Sequence, residues 1–122
     1  MTKENLCSGG PKLIFACSGA ADVGAISDRA ARKLSKDGIG AMFCLAGVGG
    51  RIEPIMKKTG SASKILAIDG CNLDCVKNCL EKAGFTEFEY IRVTDLGLEK
   101  GKSPINEENI NKVTSKAIEV LS

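Results

Sequence analysis

The sequence predicts an α/β protein, a single-domain three-layer sandwich in which a four-stranded parallel sheet of order 2-1-3-4 carries helices on both faces. Two observations support this prediction. The strand candidates are short continuous apolar runs, which is typical of parallel strands buried on both faces. These runs alternate with segments of helical periodicity, and right-handed crossovers join such units. The length of 122 residues and the apolar fraction of 43% suit one domain with an aliphatic core.

The first half of the chain predicts two strand–helix units. Residues 12–17, KLIFAC, are expected to form a buried strand. Residues 22–38 follow as a helix, with an apolar residue at every third or fourth position and a C-terminal glycine, Gly38. Residues 39–47, IGAMFCLAG, are expected to form the second buried strand, and a glycine-rich turn then leads to a short helix over 54–59.

The second half predicts two more units. Residues 64–71, KILAIDGC, form the third strand, and residues 72–84 form a long helix that Asn72 caps. Residues 87–97, EFEYIRVTDLG, are expected to form the fourth strand. Residues 103–122 form the last helix, with Ser103 or Asn106 as its N-cap.

Composition and charge exclude several classes of protein. Residues 1–11 are predicted to be a flexible arm, and residues 12–122 a single domain. The net charge is +2 and the basic residues of the first helix alternate with acidic ones, so no nucleic-acid partner is expected. No run approaches the roughly 18 apolar residues of a membrane span. The N-terminus lacks an apolar signal core, which predicts a cytoplasmic protein whose thiols stay reduced.

Six cysteines and no histidine direct attention to thiol chemistry. Cys17, Cys44 and Cys71 are each predicted near the carboxyl end of one of three neighbouring strands, which is the edge where open α/β sheets bind ligands. Cys75 follows Cys71 by one predicted helical turn. These four thiols suit an all-thiolate zinc site.

Geometry separates the remaining cysteines from this set. In a helix, Cys75 lies about 6 Å along the axis from Cys71 and Cys79 about 12 Å, whereas the sulfurs on one zinc ion lie within about 4 Å of each other. Cys79 is therefore expected to be a small buried hydrophobe unless the helix starts late. Cys7 is an incidental thiol in the arm. A plainer interpretation stays open for Cys17 and Cys44, since both could be core residues near strand ends.

Two further features could serve this edge of the sheet. Asp69 precedes the predicted ligand pair Cys71 and Cys75. It could accept hydrogen bonds from backbone amides around the site, or be an ordinary turn aspartate. Gly49, Gly50 and Arg51 could present backbone amides and a guanidinium to an anion, or form a flexible turn. No glycine-rich nucleotide motif has the required spacing.

The chain resembles the DGC-domain family of small prokaryotic proteins over nearly its whole length. The resemblance rests on the segments ACSGAADVG, CLAGVGG and VTDLGLEKG, and on Asp69-Gly70-Cys71, the tripeptide that gives the family its name. It implies a zinc site on four cysteines, which fall in this sequence on Cys17, Cys44, Cys71 and Cys75. It implies no particular reaction.

Other functions remain open at this stage. Cys71 or Cys75 could be the nucleophile of a redox or sulfur-transfer enzyme, with Cys17 as the resolving thiol. Four cysteines could also hold an iron–sulfur cluster. A small thiol or an anionic ligand is the expected partner at the sheet edge. The sequence does not decide whether the protein is an enzyme, or which oligomer it forms.

Overall fold

A computed structural model describes residues 9–122, so Cys7 and most of the predicted arm lie outside the described residues. In this part of the chain, four strands form one sheet of order β2-β1-β3-β4, and every neighbouring pair is parallel. The predicted fold class and strand order are thereby confirmed. The elements in chain order are β1 Lys12–Ala16, α1 Asp22–Lys36, β2 Ala41–Met42, α2 Leu45–Gly49, α3 Glu53–Gly60, β3 Lys64–Asp69, α4 Cys75–Lys82, β4 Glu89–Arg92, a 3-10 turn Val93–Leu96 and α5 Glu107–Leu121.

The central strands separate two apolar layers. Alternate residues of β1 and β3, such as Ile14 and Leu66, pack against α1 and α5 on one face. Their neighbours, such as Leu13 and Phe15, pack against α2, α3 and α4 on the other face. Because β1 and β3 are buried on both faces, their sequences read as unbroken apolar runs.

The second strand is much shorter than the sequence predicts. The expected strand over 39–47 is only Ala41–Met42, and the chain then turns into α2. The N–H of Phe43 still donates to the carbonyl of Ile14. Beyond it, the apolar run becomes a helix that packs on α3, where a Cβ at Gly47 would lie 2.7 Å from Ile55. Cys44 therefore precedes a helix and does not lie in a strand.

Helix α4 also begins later than predicted. The sequence places its start at Asn72, whereas the helix begins at Cys75. Asp74 just before it has a left-handed backbone, with φ of 53°, which ends the preceding turn. The carboxylate of Asp69 accepts the N–H groups of Val76 and Lys77, the donors that a local cap would otherwise bind. Cys71 and Cys75 are therefore not one helical turn apart.

The remaining helix ends follow the sequence closely. Gly38 takes the left-handed conformation after α1, with φ of 77°. The side chain of Asn106 accepts the N–H of Asn109 and so caps α5. None of the helices in residues 9–122 is long and apolar enough to cross a membrane.

Replacing Gly70 by alanine should destabilise the fold. An added Cβ would lie 2.9 Å from backbone atoms of Val23 and Gly24, where α1 meets the end of β3. Since backbone cannot yield as a flexible side chain can, we expect a loss of about 1–3 kcal/mol in the free energy of unfolding, measured by urea denaturation. Gly50→Ala is the matched control, because its added Cβ would meet no atom closer than 3.4 Å. Equal stability of both variants would contradict this close approach.

Candidate functional site

Three cysteines lie at the carboxyl edge of the two central strands. Cys17 directly follows β1, Cys71 lies two residues after β3, and Cys75 opens α4. Cys17 and Cys71 are half-buried and Cys75 is exposed. We call these three residues the thiol rim.

Cys75 is in electrostatic range of the other two cysteines of the rim. The pKa of its thiol is raised, first by burial and then by the negative charges of Cys17, Asp69 and Cys71. The desolvation arises locally, since the residue as a whole is exposed. Cys75 therefore lies within electrostatic range of Cys71 and of Cys17, which is remote from it in sequence, and a cation bound between them would offset this repulsion.

The two other described cysteines lie beside the rim rather than in it. Cys44 is exposed and stands just before α2. Cys79 is half-buried, with its Sγ 3.8 Å from the carbonyl oxygen of Leu45, and burial raises the pKa of its thiol. Together with Cys75 they line a groove. Cys79 also packs against the apolar layer of α2, α3 and α4, so it is partly the small hydrophobe that the sequence predicts.

The thiolates of the described cysteines are suitable ligands for a soft metal ion, but their positions in the structure do not form a coordination site. Thiolates are ligands that zinc prefers. Within residues 9–122, however, no group of three or more histidine, cysteine, aspartate or glutamate side chains is arranged to hold a metal ion. The assignment of Cys17, Cys44, Cys71 and Cys75 to one ion therefore stays a prediction.

Asp69 lies directly under the rim and is 1% exposed. Its carboxylate accepts the N–H of Val76 at 2.8 Å and that of Lys77 at 3.1 Å, and it lies 2.9 Å from the hydroxyl of Tyr90. A buried carboxylate needs such partners to offset the loss of hydration. Asp69 thus fixes the start of α4, and with it the backbone of Cys75.

A second polar cluster holds the turn between Cys71 and Cys75. The guanidinium of Arg92 donates to both carboxylate oxygens of Asp74, at 2.7 and 2.9 Å, and the hydroxyl of Tyr90 lies 2.7 Å from the same carboxylate. The Tyr90 and Arg92 hydrogen bonds lower the pKa of Asp74. Sequence reasoning missed this cluster, since only the register of β4 brings its residues to Asp74.

A loop over the rim adds a cation that sequence reasoning left unassigned. Lys100 places its Nζ 3.7 Å from the Sγ of Cys71. The loop is tied to α1, because the carboxylate of Asp22 accepts the N–H groups of Gly101 and Ser103, both at 2.9 Å. These two bonds are the main reasons that the pKa of Asp22 is lowered.

The predicted anion-binding segment lies at the end of α2. The guanidinium of Arg51 donates to the carbonyls of Val48, Gly49 and Lys82, at the ends of α2 and α4. Arg51 thus joins two helix ends. Anion binding by Gly49, Gly50 and Arg51 stays a prediction.

Comparisons with known proteins agree with the sequence motifs. Residues 13–117 match the DGC domain, a span that contains Cys17, Cys44, Cys71 and Cys75. The chain is 35% identical over 88 residues to the anaerobic and virulence modulator AnvM of Pseudomonas aeruginosa, which covers 72% of this chain and 67% of that protein. No solved structure matches the chain.

Tyr90 should resist ionisation in the folded protein. Burial and then its hydrogen bonds to Asp74 and Asp69 raise its pKa well above the ordinary value of 10.0. The raised pKa of Tyr90 therefore stabilises the folded state. This stabilisation is complete below about pH 10 and is lost as the pH rises toward the folded pKa, because the unfolded chain releases the tyrosine proton first. Tyr90 is the only tyrosine, so tyrosinate absorbance measures it directly.

The matched controls are the urea-unfolded chain, which should ionise near pH 10, and Tyr90→Phe, whose stability should lack this alkaline component. Formation of tyrosinate near pH 10 in the folded protein would show that the hydroxyl does not bridge the two carboxylates.

Proposed function

The chain belongs to the DGC-domain family, and we propose that it binds a thiophilic metal ion, with zinc as the first candidate, through cysteine thiolates at the carboxyl edge of its sheet. One observation carries this proposal. Cys17 follows β1, Cys71 follows β3 and Cys75 opens α4, so all three lie at the same edge of the sheet, with Cys75 in electrostatic range of the other two. We propose Cys44 as the fourth ligand.

The chemistry of the rim supports this assignment. Neighbouring thiolates repel one another, and a divalent cation would remove that cost while each thiol gives up its proton. The sequence has no histidine, so a nitrogen ligand from an imidazole is excluded and an all-thiolate set is the natural one. Asp69 would act indirectly, by fixing the backbone at Cys75.

Metal binding would require the thiols to approach one another. Cys44 is the donor with the most freedom to do so, since it is exposed and lies in the two-residue link between β2 and α2. Asp69 and Asp74 hold the other side of the site through buried or paired contacts. We therefore expect metal binding to move the link rather than β3 or α4.

The relative's name bears on how the proposal should be tested. That protein is called an anaerobic and virulence modulator. Thiolates persist where oxygen is excluded, and oxidation removes them as ligands. The protein should therefore be purified and handled anaerobically.

The test is the metal content of anaerobically purified protein, measured together with alkylation of each cysteine. We expect one zinc ion per chain and protection of Cys17, Cys44, Cys71 and Cys75 from alkylation. Cys71→Ser should lose the metal. Cys79→Ser is the matched control and should keep it, because Cys79 lies beside α2.

The opposite result is equally clear. Protein that contains no metal, and that binds none when zinc is added to the reduced chain, would overturn the proposal. A protected set that contains Cys79 in place of Cys44 would overturn the ligand assignment alone.

Thiol chemistry is the second candidate, and the contact between Lys100 and Cys71 favours it. Lys100 places a positive charge 3.7 Å from the sulfur that would act as the nucleophile. Cys71 would attack one sulfur of a disulfide, so that one S–S bond forms, another breaks, and the departing sulfur leaves as a thiolate. Cys17 would then be placed to resolve the product.

Lys100→Met should slow alkylation of Cys71 in metal-free protein. Loss of the charge of an exposed lysine at this distance from the half-buried sulfur of Cys71 is worth about 1 kcal/mol, or roughly fivefold in rate. Alkylation by iodoacetamide, followed by peptide mass spectrometry, measures each thiol separately. The control is Lys102→Met in the same loop, whose ammonium pairs with Glu99. Equal rates in both variants would remove the support for a reactive Cys71.

A further inference from the structure

A groove of about 1030 Å³ opens beside the carboxyl end of β1. It lies between α1 on one side and the segment containing Cys44 and α2 on the other, with α4 contributing Cys75. Beside the groove, β2 ends at Met42 and the chain turns into α2 instead of continuing along β1. Pockets for small ligands usually measure about 300–1000 Å³, so this groove is large enough for one.

The wall formed by α1 is cationic. The charged residues that line the groove are Asp28, Arg32 and Lys36, a formal net charge of +1. Nε of Arg32 donates to Asp28 at 2.8 Å and the hydroxyl of Ser18 donates to the same carboxylate at 2.7 Å, so Arg32 and Asp28 form a neutral pair and Lys36 carries the net positive charge. Lys36 is exposed and stands one turn beyond Arg32. The wall therefore favours an anionic group.

The facing wall combines apolar surface with sulfur. Phe43 and Leu45 are half-buried and give the groove an apolar lining. Cys44 and Cys75 are both exposed, so their thiols are accessible to a ligand in the groove. The lining thus changes from cations on α1 to apolar carbon and thiols on the opposite side.

We propose that the groove binds a small organic acid that carries sulfur, either a thiol carboxylate or its disulfide. The carboxylate lies toward Arg32 and Lys36, the carbon skeleton lies on Phe43, and the sulfur meets Cys44 or Cys75. This assignment goes beyond metal binding, since it concerns an organic ligand and rests on charge and shape.

A bound disulfide would react by exchange. The thiolate of Cys44 or Cys75 attacks one sulfur of the ligand, a mixed disulfide forms, and the other half of the ligand leaves as a thiolate. The proton of the protein thiol passes to solvent. No other oxidant is needed, because the ligand disulfide is itself reduced.

Two aromatic disulfides test the proposal in the full chain. Dithiobis(nitrobenzoate) carries a carboxylate on each ring, whereas dithiodipyridine is uncharged and similar in shape. The measurement is the ratio of their rates of reaction with the protein, followed by release of the coloured thiol, and peptide mapping locates the mixed disulfide. We expect the label on Cys44 or Cys75.

Lys36→Glu should lower this ratio by about three- to tenfold at low ionic strength, and added salt should reduce the difference. Arg29→Glu is the matched control. It makes the same change of charge on an exposed residue of the same helix, but Arg29 does not line the groove. Lys36→Met removes the charge without reversing it and should give a smaller change in the same direction.

Three results would overturn the proposal. These are an unchanged ratio in Lys36→Glu, an equal change in Arg29→Glu, and labelling confined to cysteines other than Cys44 and Cys75. Neither Lys36 nor Arg29 is a proposed metal ligand, so the comparison of Lys36→Glu with Arg29→Glu in the same metal state isolates the charge of the groove from any effect of a metal ion. Failure of the metal proposal is therefore read from metal content, and failure of the groove proposal from the ratio.

Discussion

The buried carboxylate of Asp69 is the contact on which the functional edge of this protein depends. It ends the central strand β3 at a position where water is excluded, so its charge must be met by protein donors. Two of those donors are the backbone amides of Val76 and Lys77, which fixes where α4 can begin. A third group, the Tyr90 hydroxyl, connects the same carboxylate to the Asp74–Arg92 pair. The chain between Cys71 and Cys75 is thereby held at both ends, and the thiols of the rim are carried on a fixed backbone.

The fold could be predicted from the sequence because its main elements obey local rules. β1 and β3 are buried on both faces and so read as apolar runs. The helices α1 and α5 are amphipathic, and Gly38 after α1 and Asn106 before α5 are local end signals. The length of β2 and the start of α4 were predicted wrongly, because both depend on tertiary contacts that local sequence patterns do not reveal. The run after Gly40 is apolar whether it forms a strand or a buried helix, and periodicity does not separate these cases. Asn72 is a residue type preferred at helix N-caps and directly precedes the helical pattern, so it was the expected cap. The first turn of α4 is instead capped by Asp69, across a turn.

In the candidate site too, some residues could be predicted from local sequence patterns and others depend on tertiary contacts. The rule that ligands meet the carboxyl ends of strands predicts Cys17 and Cys71 at one edge of the sheet, and both do follow the central strands. Cys44 lies beside the rim, just before α2, because the strand that was expected to carry it ends at Met42. Lys100, Tyr90 and Arg92 could not be assigned from the sequence. Their roles depend on a loop anchored by Asp22 and on the pairing of β4 with β3.

Cys75 belongs both to the thiol rim and to the groove, and this connects the two proposals. Its thiol senses the charges of Cys17 and Cys71 on one side and lines the groove with Cys44 on the other. A sulfur bound to a metal ion is not free to form a mixed disulfide, so metal and ligand would exclude each other at the cysteines. They would not compete at Arg32 and Lys36, which lie on α1 and hold only the carboxylate. A ligand could therefore occupy the cationic wall without displacing the metal, whereas exchange at Cys75 would require the metal to leave first.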